Sequence, residues 1–423
     1  MTPVERDFPE DFLWGAATAA HQVEGDNHNS DWWRYEHAAN SAARESSGDA
    51  IDHFHRYRED FELLAGMGHT AHRLSVEWAR IEPAPGEFSR AAISHYRSVL
   101  KALRATGMTS FVTLHHFTLP AWFAEQGGWL APDALERFDR YTRHVMRELG
   151  HLMDFTCTIN EPQMLALHGY LEGYFPPAVT NPTLWKRVGR VLLDAHRVAV
   201  RVVRAESDSS PGLVVQLPLL EAARDDAAAN AFLAEMTAEI TDLYLDGLTD
   251  DEDAGDWLGV QYYRKNWVDP ALRTLFQRPP AGTPITQMGW AVYPDGLRQV
   301  LARAAQTGLP LYVTENGIAT EDDTERVDYL EGHLRAVARA RREGLDVRGY
   351  IHWSAFDNFE WAEGYRPKFG LIAVDRDDDF RRIPKPSAEA FSRVIRSGVI
   401  GDLRAAGAAD ESAAPLMDAG VRA

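Results

Sequence analysis

Short apolar runs alternate along the chain with longer stretches whose apolar positions recur every three or four residues, and these two periods predict strands alternating with amphipathic helices. The first strand is read over Phe12–Thr18. Asp52–Gly66 follows as a helix with Phe54, Tyr57, Phe61 and Leu64 on one face, and Ala71–Val76 is the second strand. Ser89 is suited to N-cap a helix that turns Ile93, Tyr96, Leu100 and Leu103 inward and stops near Gly107. After the strand Ser110–His115, Pro132 suits the first turn of a helix striped by Leu135, Phe138, Tyr141, Val145 and Leu149, with Gly150 as its stop. Phe155–Ile159 is the fourth strand.

The second half repeats the scheme. An irregular loop with Pro176, Pro177 and Pro182 leads to a helix carrying Val188, Val191, Leu192, Ala195 and Val198, and Gly212–Leu217 is the fifth strand. A helix with Phe232, Met236, Ile240 and Leu243 runs into the acidic turn Thr249–Asp256 and the strand Trp257–Tyr262. Pro294 opens a helix through Leu297, Val300, Leu301 and Ala304 that Gly308 closes, and the run from Leu311 ends at Glu315. Leu330, Leu334, Val337 and Ala338 mark the next helix, Gly349–Trp353 the eighth strand and Pro386–Ile395 a closing helix. About eight strand–helix units result, the number that closes a (β/α)8 TIM barrel. The predicted fold class is therefore α/β, one barrel over residues 1–404 with long βα loops. The stretch 405–423, rich in Ala, Gly, Asp and Glu, is expected to be a disordered tail.

Charge and composition narrow the function. A net charge of -19 over 423 residues argues against nucleic acid or an anionic membrane as partner. Met1–Gly15 has no basic segment followed by an apolar run, and no stretch approaches the ~20 apolar residues of a membrane span, so a cytoplasmic location is expected. Cys157 is the only cysteine, which excludes an intrachain disulfide and a cysteine metal cluster; within a strand it reads as a small buried apolar residue.

Two strand runs end in carboxylates. FTCTINEP brings Asn160 and Glu161 to the end of one, and LYVTENG brings Glu315 to the end of another. Residues at the carboxyl ends of barrel strands face the mouth where such folds carry their chemistry, so the two glutamates form a candidate facing pair. Either could also be a buried partner of an arginine. His115 and His116 are adjacent, and adjacent strand residues point to opposite sides, which argues against their sharing a metal. The run Arg339–Arg342 reads as a solvated helix face.

FLWGAATAAHQVEG, HRLSVEWARIEP, LHHFTLPAWF, TINEP, LYVTENG, WSAFDNFEWAEGY and KFGLIAVD follow one another in this order. With these motifs nearly the whole chain before the tail resembles glycoside hydrolase family 1, the retaining β-glycosidases of β-glucosidase type. The resemblance implies Glu161 as acid/base and Glu315 as nucleophile, with carboxyl groups ~5 to 5.5 Å apart. It also implies that Arg73 holds Glu315 ionised, that Tyr263 bonds it, and that Asn160 bonds the sugar 2-hydroxyl. Gln22, His116 and Glu360 would supply further polar contacts, and Trp353, Trp361 and Phe369 aromatic ones. Taken singly, His116 also reads as a core histidine and the tryptophans as packing residues. Neither a cofactor nor a metal is implied; the partner is a small β-glycoside, and a homo-oligomer is left open.

Members specific for 6-phosphosugars lack the glutamate at position 360 and add a lysine nearby, whereas the nearby lysine here is Lys368, which reads as a surface charge. The chain departs from the family pattern at Gln261, where asparagine is usual, and at Phe117, where many members have tryptophan. Glu221–Gly255 is shorter than usual. The activity implied is hydrolysis of terminal β-D-glucosides, with galactosides and fucosides as further glycons. A transglycosylase or tailoring enzyme on a natural-product glycoside shares the same chemistry, and a non-catalytic sugar-binding relative would not.

Overall fold

The apolar runs pair side by side and close on themselves. In the computed structural model, which describes residues 6–271 and 279–404, eight strands form the barrel: β1 (Leu13–Ala17), β2 (Ala71–Ser75), β3 (Thr109–His115), β4 (Phe155–Asn160), β5 (Ser210–Gln216), β6 (Trp257–Gln261), β7 (Leu311–Glu315) and β8 (Val347–His352). Their order is β1-β8-β7-β6-β5-β4-β3-β2, and every neighbouring pair is parallel. The (β/α)8 barrel is thus as predicted, with strand limits shifted by at most two residues. The expected tail from 405 lies outside the described residues.

The lumen is filled with side chains. Phe111 stacks on Phe155 with ring centroids 4.3 Å apart, Trp257 and Tyr312 close over them edge to face, and Cys157, Val214 and Ile351 belong to the same buried cluster. At the carboxyl ends of the strands a cavity lies above this plug. Cys157 is fully buried in it, as expected of a small core residue.

Eight principal helices cover the outside: α1 (His53–Gly66), α2 (Arg90–Ala105), α3 (Ala134–Leu149), α4 (Pro182–Glu206), α5 (Ala227–Thr237), α6 (Pro294–Ala304), α7 (Asp323–Arg342) and α8 (Pro386–Ser397). Local chemistry fixes their ends. The Ser89 hydroxyl accepts a hydrogen bond from the Ala92 amide at the start of α2, and Pro294 and Pro386 occupy first-turn positions where a missing N–H costs nothing.

Several expectations are corrected. Pro132 lies before α3: it keeps Ala131 extended, and a turn from Ala131 to Ala134 comes before the helix starts. Gly150 caps the helix that ends at Leu149, as expected, but with right-handed geometry that leads into a further tight turn, Gly150–Leu152. Pro182 sits in the first turn of α4, since the Asn181 side chain caps the Thr183 and Leu184 amides. The segment after Glu161 is helical, over Pro162–Ala166 and Leu167–Leu171, before the chain becomes irregular. Arg341 is only half exposed: it bonds the Val347 carbonyl and lies over Phe12, unlike its neighbour Arg342. Two small ribbons went unread, a parallel one of Leu219–Ala222 with Lys265–Val268 and an antiparallel one of Ile372–Asp375 with Arg381–Pro384.

The strand ends that face the cavity are irregular. Register shifts fall between Cys157 and Asn160 on β4 and between Val260 and Gln261 on β6. Asn316, just past β7, donates to the Tyr262 carbonyl at 2.5 Å and to the Tyr329 hydroxyl at 3.0 Å while accepting from Tyr350 at 2.8 Å, tying together β6, α7 and β8. Gly317 then passes so close to the next loop that a Cβ there would lie 1.8 Å from the Trp353 carbonyl oxygen. Gly317→Ala must therefore displace backbone directly under the cavity. It is expected to cost about 3 kcal/mol, the upper range for overpacking, in urea unfolding of the protein. A variant as stable as the parent would contradict this packing.

Candidate active site

Chain geometry at the end of β4 aims Glu161 into the cavity. Glu161 has a left-handed backbone, φ 44° and ψ 57°, its amide bonds the Val214 carbonyl at 2.9 Å, and Pro162 begins a helix immediately after it. A residue before proline avoids the right-handed helical region, and the strained alternative is held here by the neighbouring strand. Phe117 and Trp361, with φ of 67° and 51°, also line this cavity of about 710 Å³ in left-handed conformations.

Glu315 faces the same space from the end of β7. One of its carboxyl oxygens bonds Arg73 Nη1, and the other accepts from the Tyr263 hydroxyl at 2.5 Å. Arg73, fully buried at β2, also donates through Nη2 to Asn160 Oδ1 at 2.5 Å. Burial raises the carboxyls of both glutamates. Glu161 is raised well above the ordinary value because the charge on Glu315 adds to the effect of burial. For Glu315 the pull of Arg73 and Tyr263 works against burial without cancelling it, so Arg73 limits the cost of ionisation there rather than removing it. The pair is thus differentiated by its surroundings: the proton belongs on Glu161 and the charge on Glu315.

A polar and aromatic wall completes the site. Gln22, from the turn after β1, donates to the Phe359 carbonyl at 2.8 Å and to Glu360 Oε2 at 3.2 Å. Burial and the Glu315 charge push Glu360 up to about 8. His116 lies nearly parallel to Trp353 and Trp361, with centroids 6.2 and 6.0 Å away, and burial holds it well below the ordinary histidine value. It is therefore a neutral donor or acceptor. Among the described residues, Gln22 Oε1 and His116 Nδ1 are buried and have no hydrogen-bond partner, which is the condition of groups built to meet a ligand. His115 turns the other way, against Trp78 and Trp129, so the two histidines diverge as alternation requires.

All the residues singled out from the sequence converge here. Gln22, His116, Asn160, Glu161, Tyr263, Glu315, Trp353, Glu360, Trp361 and Phe369 line the cavity, and Arg73 lies beneath it. Sequence reasoning missed the rest of the lining. There His168 bonds Glu172 at 2.7 Å, Arg264 lies 4.6 Å over Trp290, and Tyr174 donates to Glu363 at 2.8 Å. His168 and Glu172 lie one helical turn apart in a stretch that reads as an irregular loop, Glu363 lies within the WSAFDNFEWAEGY motif, and Arg264 directly follows Tyr263. Lys368 is half-buried and lies outside the cavity lining. A second lysine, Lys385, reaches Asp357 and the Gly370 carbonyl at 2.8 Å beneath the same loop.

Comparison with known proteins agrees with this geometry. The model of glycosyl hydrolase family 1 matches residues 4–248 and 236–399. The chain is 31% identical to Beta-glucosidase A of Thermotoga maritima, over 94% of this chain and 99% of that one. It is 33% identical to a bifunctional beta-D-glucosidase/beta-D-fucosidase of Bifidobacterium breve, over 92% and 98%. Among solved structures, a beta-glycosidase from Pyrococcus horikoshii superposes with a TM-score of 0.87 at 36% identity, covering 93% of this chain and 96% of that one.

The elevated Glu360 makes a prediction independent of turnover. Its folded-state value of about 8 lies above the ordinary 4.5, so the folded protein binds more protons than the unfolded chain between those values. Stability is fully present below about 4.5 and falls as pH rises through 8. Glu360→Gln is expected to flatten that fall in thermal melts taken from pH 5 to 8, and an unchanged slope would show that Glu360 does not carry it.

Proposed function

The chain belongs to glycosyl hydrolase family 1 and is an O-glycosyl hydrolase with a retaining mechanism; we propose that it hydrolyses terminal β-D-glucosides, with Glu315 as nucleophile and Glu161 as acid/base. Galactosides and fucosides are the further glycons of this reading. The observation that carries it is the different setting of the two buried carboxyls: Glu315 is held by Arg73 and Tyr263, and across the same cavity burial and the Glu315 charge raise Glu161 well above the ordinary value.

In the first step the Glu315 carboxylate attacks the anomeric carbon as Glu161 gives its proton to the departing glycosidic oxygen. A covalent glycosyl-enzyme and a free alcohol result. Loss of the Glu315 charge removes the repulsion that held the Glu161 proton, so Glu161, now ionised, can take a proton from water. That water attacks the anomeric carbon, the bond to Glu315 breaks, and the sugar leaves with its β configuration. Asn160 donates to the 2-hydroxyl, a bond that strengthens as the anomeric carbon gains positive charge. Gln22, His116 and Glu360 take the remaining hydroxyls, and Trp353 and Trp361 the apolar C–H face of the ring.

The cytoplasmic location and a single catalytic domain over residues 1–404 are part of the same proposal. No helix among the described residues is long and apolar enough to cross a membrane.

Glu315→Ala is expected to lower kcat at least about 10⁴-fold on every substrate, whereas Glu161→Ala should spare those whose leaving group needs no proton, such as 2,4-dinitrophenyl glucoside. Added azide should give the α-glycosyl azide with the first variant and the β-azide with the second. Identical anomers by NMR would show the assignment to be wrong.

Glu360 also restricts the glycon. A phosphate on the sugar 6-oxygen would lie against a buried carboxylate, two anions in a place that stabilises neither. The enzyme is expected to cleave 4-nitrophenyl β-D-glucoside and to leave its 6-phosphate essentially untouched. Equal or faster release of nitrophenol from the phosphate would overturn the role of Glu360.

A further inference from the structure

Gln261 ends β6 beside Glu315 in the barrel register and is completely buried. It is absent from the residues that line the cavity, so its effect there must pass through a neighbour. That neighbour is Asn160. Gln261 Nε2 donates to Asn160 Oδ1 at 2.9 Å, and Arg73 Nη2 donates to the same oxygen at 2.5 Å. An amide oxygen has two lone pairs, and these two donors occupy both.

The orientation of the Asn160 amide follows from this. Its oxygen faces two donors, so a flipped amide would set its own NH2 against them, and Nδ2 is left 3.4 Å from His116 Nε2, on the cavity side. With Arg73 as the only donor the oxygen would still be anchored, yet the amide plane would be free to tilt about that single bond. A second donor from another strand removes the tilt. Length matters as well: one methylene less at position 261 would withdraw the donor from Asn160. Gln261 Oε1, meanwhile, is buried with no hydrogen-bond partner among the described residues. A side chain that only filled space would be better apolar, because a half-satisfied buried amide lowers stability.

We propose that Gln261 is a positioning residue that fixes the Asn160 amide for an equatorial sugar 2-hydroxyl, and thereby sets a preference for β-glycosides that carry that hydroxyl over those that lack it or hold it axially. This inference rests on the glycosidase reading above and adds to it the device that selects at carbon 2.

The test compares 4-nitrophenyl β-D-glucoside with its 2-deoxy analogue in the unaltered enzyme and in Gln261→Met, which keeps the length of the side chain and removes the donor. The ratio of their kcat/KM values cancels any general loss of activity. It is expected to fall about tenfold in the variant, through kcat more than KM, because the 2-hydroxyl bond tightens in the transition state. Should the Met variant not melt cooperatively, Gln261→Asn, which keeps the amide but withdraws it, reads the same ratio with the same expected fall. An unchanged ratio in a folded variant overturns the inference and leaves the glycosidase reading standing. An unaltered enzyme idle on both substrates overturns the glycosidase reading and this inference with it.

Discussion

A guanidinium taken wholly out of water needs fixed partners, and Arg73 has them in Glu315 and Asn160. Stripping an arginine and a carboxylate of solvent costs several kcal/mol each, so neither would be retained unless the other were held at bonding distance. Much of the barrel's upper rim can be understood as meeting that requirement. β2 supplies the cation, β7 the anion, β4 the amide that takes the second arm of the fork, β6 the glutamine that braces the amide, and the segment just after β6 the tyrosine that braces the anion. The planar fork of arginine makes this possible, because it binds two acceptors on different strands at once. A lysine at the same position would offer a point charge and fix neither.

The strand ends deviate from regular pairing at the same places. A parallel barrel sends alternate side chains in and out, and strict alternation cannot turn both Asn160 and Glu161 inward. The register shift on β4 and the left-handed Glu161 resolve this conflict over consecutive residues. Below, the aromatic plug of Phe111, Phe155, Trp257 and Tyr312 gives the rim a rigid base, so the irregularity stays local.

Most of this was legible in the sequence where the signal was local. The Ser89 cap, the first-turn prolines Pro294 and Pro386 and the apolar runs of the barrel strands depend on neighbours a few residues away, and each was read nearly as it stands. The site is legible for a related reason: residues at strand ends inherit their position from the barrel, so the sequence alone pairs Glu161 with Glu315. What escaped depends on distant or irregular chain. Arg381–Pro384 is a polar, largely exposed strand that exists only because Ile372–Asp375 pairs with it. The Arg264–Trp290 contact brings together segments with no common period, and the His168–Glu172 pair, one helical turn apart, lies in a stretch that reads as an irregular loop. Pro132 misled because a proline marks either the first turn of a helix or the residue before a turn, and Ala131 decided between them.

Differences in solvation link the stability of this site to its chemistry. Glu161 and Glu360 both carry raised carboxyls, and among the described residues Gln22 Oε1 and His116 Nδ1 are buried with no hydrogen-bond partner, so the cavity holds polar groups at a cost to the fold. A bound sugar brings hydroxyls to some of these groups and displaces solvent from the rest, recovering part of that cost. The Glu161–Glu315 repulsion is different, because binding alone does not relieve it. In the proposed mechanism only formation of the bond to the anomeric carbon, which neutralises Glu315, lets Glu161 ionise without opposition. Interactions relieved by binding favour the substrate, and those relieved by bond formation lower the barrier. On the proposed mechanism the buried carboxyl pair therefore serves catalysis for the same reason that it is an unfavourable structural arrangement.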